Sequence, residues 1–354
     1  MKRINSVTPT EAMLVDTLAK SLPGRVYNLA AGDPDLPVCP ALKDAFRSAD
    51  LDVTHRYASS VGLPSLRAKL WSRPDEVIIA NGAKQLIYMS LAAVTKPGDH
   101  VVIIGPCWAS YMRICDLLGL RYSLLTGTAD TRYTPDIESV KAAVTPDTAA
   151  VLMNSPNNPT GVIYPDEYVA ALLDSVREND SRLIMDEIYR YITDRPFKSL
   201  RGEKDVIVID GFSKALNITG WRLGYAIACP EIIKSMTGIQ SQMSGPPSTL
   251  IQSIADSAFD RLEYSSFDDY RDRIDVLCAM PKFAAARPEG GFYFYVPIDR
   301  RWESSKVLCE TLLREHSVAL TPGDDYGVER TVRVSVASEP ASALREIVQY
   351  LDVI

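Results

Sequence analysis

One lysine, Lys214, sits among small and apolar residues in GFSKALNITGWRLGY (211–225), with Arg222 eight positions later. An amine that is desolvated or lies beside other cations loses proton affinity and becomes a nucleophile toward carbonyl carbon. The run alone reads equally as a surface-loop lysine or half of an ion pair. Three other stretches carry comparable chemistry. In MDEIYRY (185–191), Asp186 closes an apolar run and Tyr189 follows three residues on. A carboxylate there is desolvated unless a cation pairs with it, although a helix N-cap would also place an aspartate so. In NSPNNPTG (154–161), Pro156 and Pro159 stiffen the loop and fix Asn158. In NGAKQ (81–85), a small-residue turn opens a helix, so the N–H groups of Gly82, Ala83 and Lys84 could face an anion. Alone, NGAKQ reads as a plain strand-to-helix turn, whereas the repeated Asn-Pro makes NSPNNPTG less bland than a turn rich in turn formers.

Each motif follows a short apolar run. EVIIA (76–80), HVVIIG (100–105), AAVLMN (149–154), RLIMDE (182–187) and DVIVID (205–210) read as strands buried on both faces. Helical stretches lie between them, including 84–94 and 166–179, which predicts an α/β fold with a mostly parallel sheet flanked by helices. Sites in such sheets lie at the carboxyl ends of strands, where Asn81, Asn154, Asp186 and Asp210 all fall. Lys214 follows the 205–210 run closely enough to share that edge. After Gly245-Pro246-Pro247 the pattern changes. One or two helices over 248–277, a strand-like GGFYFYVPI (290–298), a helix near 304–316, TVRVSVA (331–337) and a last helix predict a smaller α+β domain. The expected division is 29–276 for the large domain, with 1–28 and 277–354 forming the small one.

Composition narrows the classes. The 354 residues are 46% hydrophobic and 23% charged, ordinary for a globular protein with a sizeable core. A net charge of −7 argues against nucleic acid as a partner and against an anionic membrane surface. Six scattered cysteines without a CxxC pair, and only three histidines, disfavour a metal cage. Free thiols, an N-terminus without an apolar signal core and no run long enough to span a bilayer predict a cytoplasmic protein. No G-x-G, no Gly-Lys pair and no Gly-x-Ser-x-Gly occurs, which sets aside the dinucleotide fingerprint, the P-loop and the hydrolase elbow.

GFSKALNITGWRLG resembles, position for position, the pyridoxal-phosphate attachment pattern of class I aminotransferases. AAGDPD (30–35), HRYASSVGLPSLR (55–67), NGAKQ, GPCWASY (105–111), NSPNNPTG, MDEIY, EGGFYFY (289–295) and TVRVSVASE (331–339) follow in that family's order. The resemblance covers nearly the whole chain and is closest to the aspartate-aminotransferase-like subgroup of fold type I. It implies pyridoxal 5′-phosphate as cofactor, and an L-amino acid and a 2-oxo acid as substrates. It also implies that Lys214 forms the internal Schiff base and moves the substrate proton. Asp186 would pair with the pyridine nitrogen, Asn158 and Tyr189 would bond the ring's 3′-oxygen, and Trp108 would stack on the ring face. The phosphate would take the Gly82–Lys84 turn and Arg222. Tyr57 would reach the cofactor of a neighbouring subunit, implying a homodimer with shared sites. Arg333 would clamp the substrate α-carboxylate, and Gly32 would bring a backbone N–H to it.

Two departures stand out. Gly211 lies three positions before the lysine, where many relatives carry a phosphate-binding hydroxyl. The segment between Leu70 and Asp75 is short. Lys84, Thr8 and Thr10 resemble a set that reads a distal carboxylate, pointing to aspartate, glutamate or 2-oxoglutarate. Lys84 reads equally as a solvated helix lysine, and Thr8 or Thr10 as an N-cap. The same residues would serve an elimination, a cyclising synthase, a decarboxylation or an oxidation. A non-catalytic binding module is the alternative from outside enzymology.

Overall fold

The computed structural model describes residues 8–354; residues 1–7 of the expected N-terminal arm lie outside the described part. The strands are β1 (Tyr27–Asn28), β2 (Val77–Ala80), β3 (His100–Ile104), β4 (Arg121–Leu125), β5 (Thr148–Asn154), β6 (Arg182–Asp186), β7 (Val206–Gly211), β8 (Gly224–Ile227), β9 (Tyr293–Pro297), β10 (Val318–Ala319), β11 (Thr321–Pro322) and β12 (Thr331–Ser335). Seven form the central sheet in the order β2-β8-β7-β6-β5-β3-β4. All neighbours run parallel except β8, which is antiparallel to β2 and β7.

Helices cover both faces, which explains the unbroken apolar runs. On one face Ile78, Ile103, Leu152, Ile184 and Ile207 pack against Leu86, Ile87 and Met89 of helix Ala83–Val94. On the other, Val102, Val151, Leu183, Met185 and Val208 meet Tyr168, Leu172 and Val176 of helix Asp166–Glu178. Each expected strand is present with ends shifted by up to three residues; β2 starts at Val77 because Pro74–Glu76 forms a 3₁₀ turn. Two strands of the central sheet come without a sequence expectation. β4 is the half-exposed sheet edge, and β8 begins inside the lysine run. The 248–277 stretch resolves into helices Thr249–Ala258 and Asp268–Cys278.

A second sheet, β11-β12-β9, is antiparallel and places Arg333 opposite Tyr295. Its core joins Phe294, Val296, Val332 and Val334 to Tyr270, Ile274, Leu344 and Ile347 from the flanking helices. Two links tie the N-terminal segment to this part of the chain. β1 pairs in parallel with β10, and the first backbone N–H of helix Glu11–Ser21 donates to Asp325 Oδ2 at 3.0 Å. Asp325 Oδ1 accepts from Arg113 Nη2 at 2.9 Å, so one carboxylate holds this helix against helix Ser110–Leu118. Among the described residues no helix is long and apolar enough to cross a membrane, and no cluster of metal-ligand residues occurs.

Asp210, on β7, is fully buried and binds the guanidinium groups of Arg190 and Arg201 as well as the Tyr225 hydroxyl at 2.7 Å. Removing one partner of such a set strands the remaining charges in a poorly solvated place. Asp210→Ala should therefore destabilise the protein by about 3–5 kcal/mol, measured by urea unfolding. A loss below about 1 kcal/mol, the scale of surface ion pairs, would show that solvent screens the two arginines.

Candidate active site

The carboxyl ends of β5, β6 and β7 open onto a cavity of about 570 Å³. The strand register puts Asn154 level with Asp186, and the chain after β7 brings Lys214 alongside. Asp186, Asn158, Tyr189, Lys214, Arg222 and Arg333 all line this one space.

The Lys214 amine donates to the Gly32 carbonyl at 2.6 Å and makes no ion pair among the described residues. Burial lowers its pKa to about 8, and Arg333 and Arg222 push the same way against Asp33 and Asp186. Asp186 is 3% exposed. Its Oδ2 accepts from the Tyr111 hydroxyl at 2.7 Å and its Oδ1 from the Ile188 N–H at 3.1 Å. Burial outweighs these bonds and raises its pKa to about 6. No cation pairs with it among the described residues.

Asn154 builds the next wall. Its amide donates to the Asp186 carbonyl at 2.9 Å, and its Oδ1 accepts the Asn158 N–H at 2.6 Å. Asn158 Oδ1 then accepts from Arg333 Nη1 at 3.0 Å. Arg333 is 3% exposed and gives its other terminal nitrogen to the Ala30 carbonyl. Its Nε is buried without a partner, and no carboxylate faces it among the described residues. A buried guanidinium lacking a counter-ion is costly and suits an incoming anion.

A second anion corner lies where β2 meets helix Ala83–Val94. Gly82 has φ +86°, a backbone conformation that favours glycine, and a Cβ there would sit 2.5 Å from Arg222 Nη2 and push the guanidinium away. Arg222 donates to the carbonyls of Thr219 (2.8 Å) and Asn81 (3.2 Å), which aims its guanidinium at this corner. One expectation is corrected: the Gly82 N–H is not free, because it donates to the Ala80 carbonyl at 2.8 Å. The N–H groups of Ala83 and Lys84, in the helix's first turn, keep no intrahelical acceptor. At Gly211 a Cβ would lie 3.1 Å from the Gly224 Cα and the Leu223 carbonyl, so a hydroxyl-bearing residue is crowded out. Ser213 lines the cavity instead, its hydroxyl without a partner among the described residues.

Trp108, Gly32, Lys84 and Thr10 also reach the cavity. Lys84 Nζ sits 4.9 Å from the Trp108 ring centroid, and burial together with Arg222 lowers its pKa. Thr10 is buried at the N-cap position of its helix but makes no side-chain capping bond. Thr8 is exposed and does not line the cavity: the chain enters the helix at Thr10 and leaves Thr8 outside. Tyr57 is 95% exposed and stands away from this cavity. Sequence reasoning gave no role to Tyr111 and Tyr293. Tyr111 follows Trp108 by three residues, one helical turn, and Tyr293 alternates with Tyr295 on one face of β9; both spacings were available signals.

Residues 25–351 match the family described as "Aminotransferase class I and II". An aspartate/prephenate aminotransferase of Thermus thermophilus is 30% identical, over 100% of this chain and 98% of its own. An aspartate aminotransferase of Thermotoga maritima is 31% identical, over 95% and 94%. The structure of the Thermus thermophilus aspartate aminotransferase with maleate superposes with a TM-score of 0.91 at 30% identity, covering 100% of both chains.

The elevated Asp186 pKa has a consequence for stability. The unfolded carboxyl ionises near pH 4 and the folded one near pH 6, so the folded state binds the extra proton between them. Its burial cost is complete above pH 6 and fades as pH falls toward 4. Asp186→Asn should stabilise the ligand-free protein by about 3 kcal/mol at pH 7 and about half that at pH 5, measured by urea unfolding. A destabilised Asn variant at pH 7 would refute the burial cost.

Proposed function

The chain belongs to the class I and II aminotransferases, and from that membership we propose a pyridoxal 5′-phosphate enzyme that moves an amino group between a dicarboxylic L-amino acid and a 2-oxo acid. One observation supports it above others: Lys214, Asp186 and Arg333 converge on one cavity, and none is paired with an opposite charge among the described residues. The residues fit this cofactor. Asp186 calls for a cation, as a protonated ring nitrogen would be. The orphaned Arg333 Nε calls for an anion, and the missing Cβ at Gly82 lets the Arg222 guanidinium close on the turn before Ala83 and Lys84.

When bound, the cofactor supplies an electron sink for the pair left at the substrate Cα. The protein supplies grip and proton handling. Asp186 would pair with the pyridine nitrogen, which would offset the cost of its own burial. Asn158 and Tyr189 would bond the ring oxygen, and Trp108 would stack on the ring. Ala83 N–H, Lys84 N–H, Arg222 and Ser213 would hold the phosphate, Ser213 standing in for the hydroxyl that Gly211 lacks. Arg333 holds the substrate α-carboxylate through a charge-assisted fork. Lys214 Nζ, neutral above pH about 8, takes the Cα proton. In the ligand-free chain the Gly32 carbonyl holds that amine at the cavity wall.

Lys84 and Thr10 are the side-chain readers, with Thr8 dropped from the set. The names of the relatives, aspartate and aspartate/prephenate aminotransferases, agree with an acidic substrate. Tyr57, exposed and remote from its own cavity, serves a second copy of the chain in a homodimer, and Leu51 and Val53 nearby are also exposed.

Purified protein should be yellow, and borohydride should bleach the colour while fixing the cofactor irreversibly to Lys214. Donors paired with 2-oxoglutarate should yield glutamate; ammonia or peroxide as the product would exclude transamination. Lys214→Ala should keep the cofactor and lose turnover. Lys84→Ala should cut kcat/KM for aspartate by about 10- to 100-fold, the worth of a charged hydrogen bond, while sparing alanine as donor. An equal loss for both donors would remove Lys84 from side-chain recognition.

A further inference from the structure

Tyr293 stands behind the groups that meet cofactor and substrate. It lies on β9, is 1% exposed and borders the cavity. Three contacts converge on it. Its hydroxyl is 3.0 Å from that of Tyr189. Its ring lies 4.5 Å from the Arg333 guanidinium carbon, in cation–π range. Its Oη presses on Gly32, where a Cβ would come within 1.9 Å of it. The rings of Tyr189 (5.7 Å, 87°) and Phe292 (4.8 Å, 58°) pack against it and fix its orientation.

Proton counting sets the direction of the hydroxyl pair. Each phenol has one proton to donate. If Tyr189 gives its proton to an acceptor in the cavity, the 3.0 Å contact is a hydrogen bond only when Tyr293 donates. The Tyr293 proton has no other acceptor among the described residues.

We propose that Tyr293 is a positioning residue with two separable parts. Its hydroxyl donates to Tyr189 Oη and so commits the Tyr189 proton to the cofactor's ring oxygen, while its ring holds the Arg333 guanidinium. This inference rests on the pyridoxal-phosphate reading above. The charged and titratable groups facing the pair are Arg333 and Asp33 at Tyr293 and Arg333 and Asp186 at Tyr189, with Tyr270 and Tyr326 behind. Burial raises the pKa of both phenols, so both keep their protons across the working range.

The test is a spectrophotometric pH titration of the substrate-free holoenzyme, wild type against Tyr293→Phe and Tyr293→Leu, with donor KM measured alongside. Donation into Tyr189 strengthens the next bond in the chain by about 10–30%. Loss of the hydroxyl should therefore raise the midpoint of the cofactor's colour change by about 0.3–0.5 pH unit, a two- to threefold gain in proton affinity. The Phe variant keeps the ring and should hold donor KM within about twofold, while Leu should raise it about 30-fold, the worth of a desolvated cation–π contact. A yellow Phe variant with an unshifted midpoint would overturn the hydroxyl part. A Phe variant whose KM rises as far as that of Leu would overturn the ring part. If Leu does not fold, the Phe midpoint still decides the hydroxyl part, and Tyr293→Met, held to the same KM criterion as Leu, decides the ring part. A wild type that takes up no pyridoxal phosphate would overturn the reading beneath, and this inference with it.

Discussion

Desolvated charge at the carboxyl edge of a parallel sheet is the constraint on which the rest of this structure depends. β6 buries its residues on both faces, so the carboxylate at its end is drawn out of water with the strand. The same holds for the amine just after β7 and the guanidinium on β12. Each such group costs several kcal/mol unless something compensates it. The protein compensates them only with neutral donors and acceptors: Tyr111 for Asp186, the Gly32 carbonyl for Lys214, Asn158 and Ala30 for Arg333. What remains uncompensated is available to a ligand, so binding energy is drawn from unpaired charges already set in place.

Much of this was legible in the sequence, for definite reasons. Strands covered on both faces are apolar throughout, and the polar residue that ends such a run marks the edge where ligands bind. Lys214, Asp186 and Asn158 were found this way. Relations across the fold were less visible. Arg333 and Tyr293 are forty residues apart in sequence, and only the β9–β12 pairing brings the guanidinium over that ring. The free N–H groups at residues 82–84 could be anticipated from the strand-turn-helix order, but the tight turn that consumes the Gly82 N–H could not. Thr8 and Thr10 are alike in type, and only the start of the helix separates the buried one from the exposed one.

A second buried network supports the first from behind. Asp210 gathers Arg190, which follows Tyr189, and Arg201, and it meets Tyr225 on β8. Glu187, fully buried, accepts from the Ser199 hydroxyl and from the Leu200 N–H at 2.8 Å. Burial raises its pKa to about 7 against those two bonds. The residues just after Asp186 and just before Lys214 are thus fixed by pairings on the side away from the cavity. That rigidity keeps the cavity groups in place while their own charges stay unmatched.

The anion corner has a property of its own. A Cβ on Gly224 would meet the Gly82 backbone at 3.0 Å, and one on Gly211 would meet Gly224 at 3.1 Å. Three main chains fill the volume that side chains normally take. A surface made of backbone has no alphabet to vary: substitution can damage it but cannot retune it. Divergence among descendants of this chain is therefore channelled toward cavity-lining side chains such as Thr10 and Lys84, which can be exchanged without disturbing those glycines. The grip on one end of the ligand stays inherited, and the choice of the other end stays open.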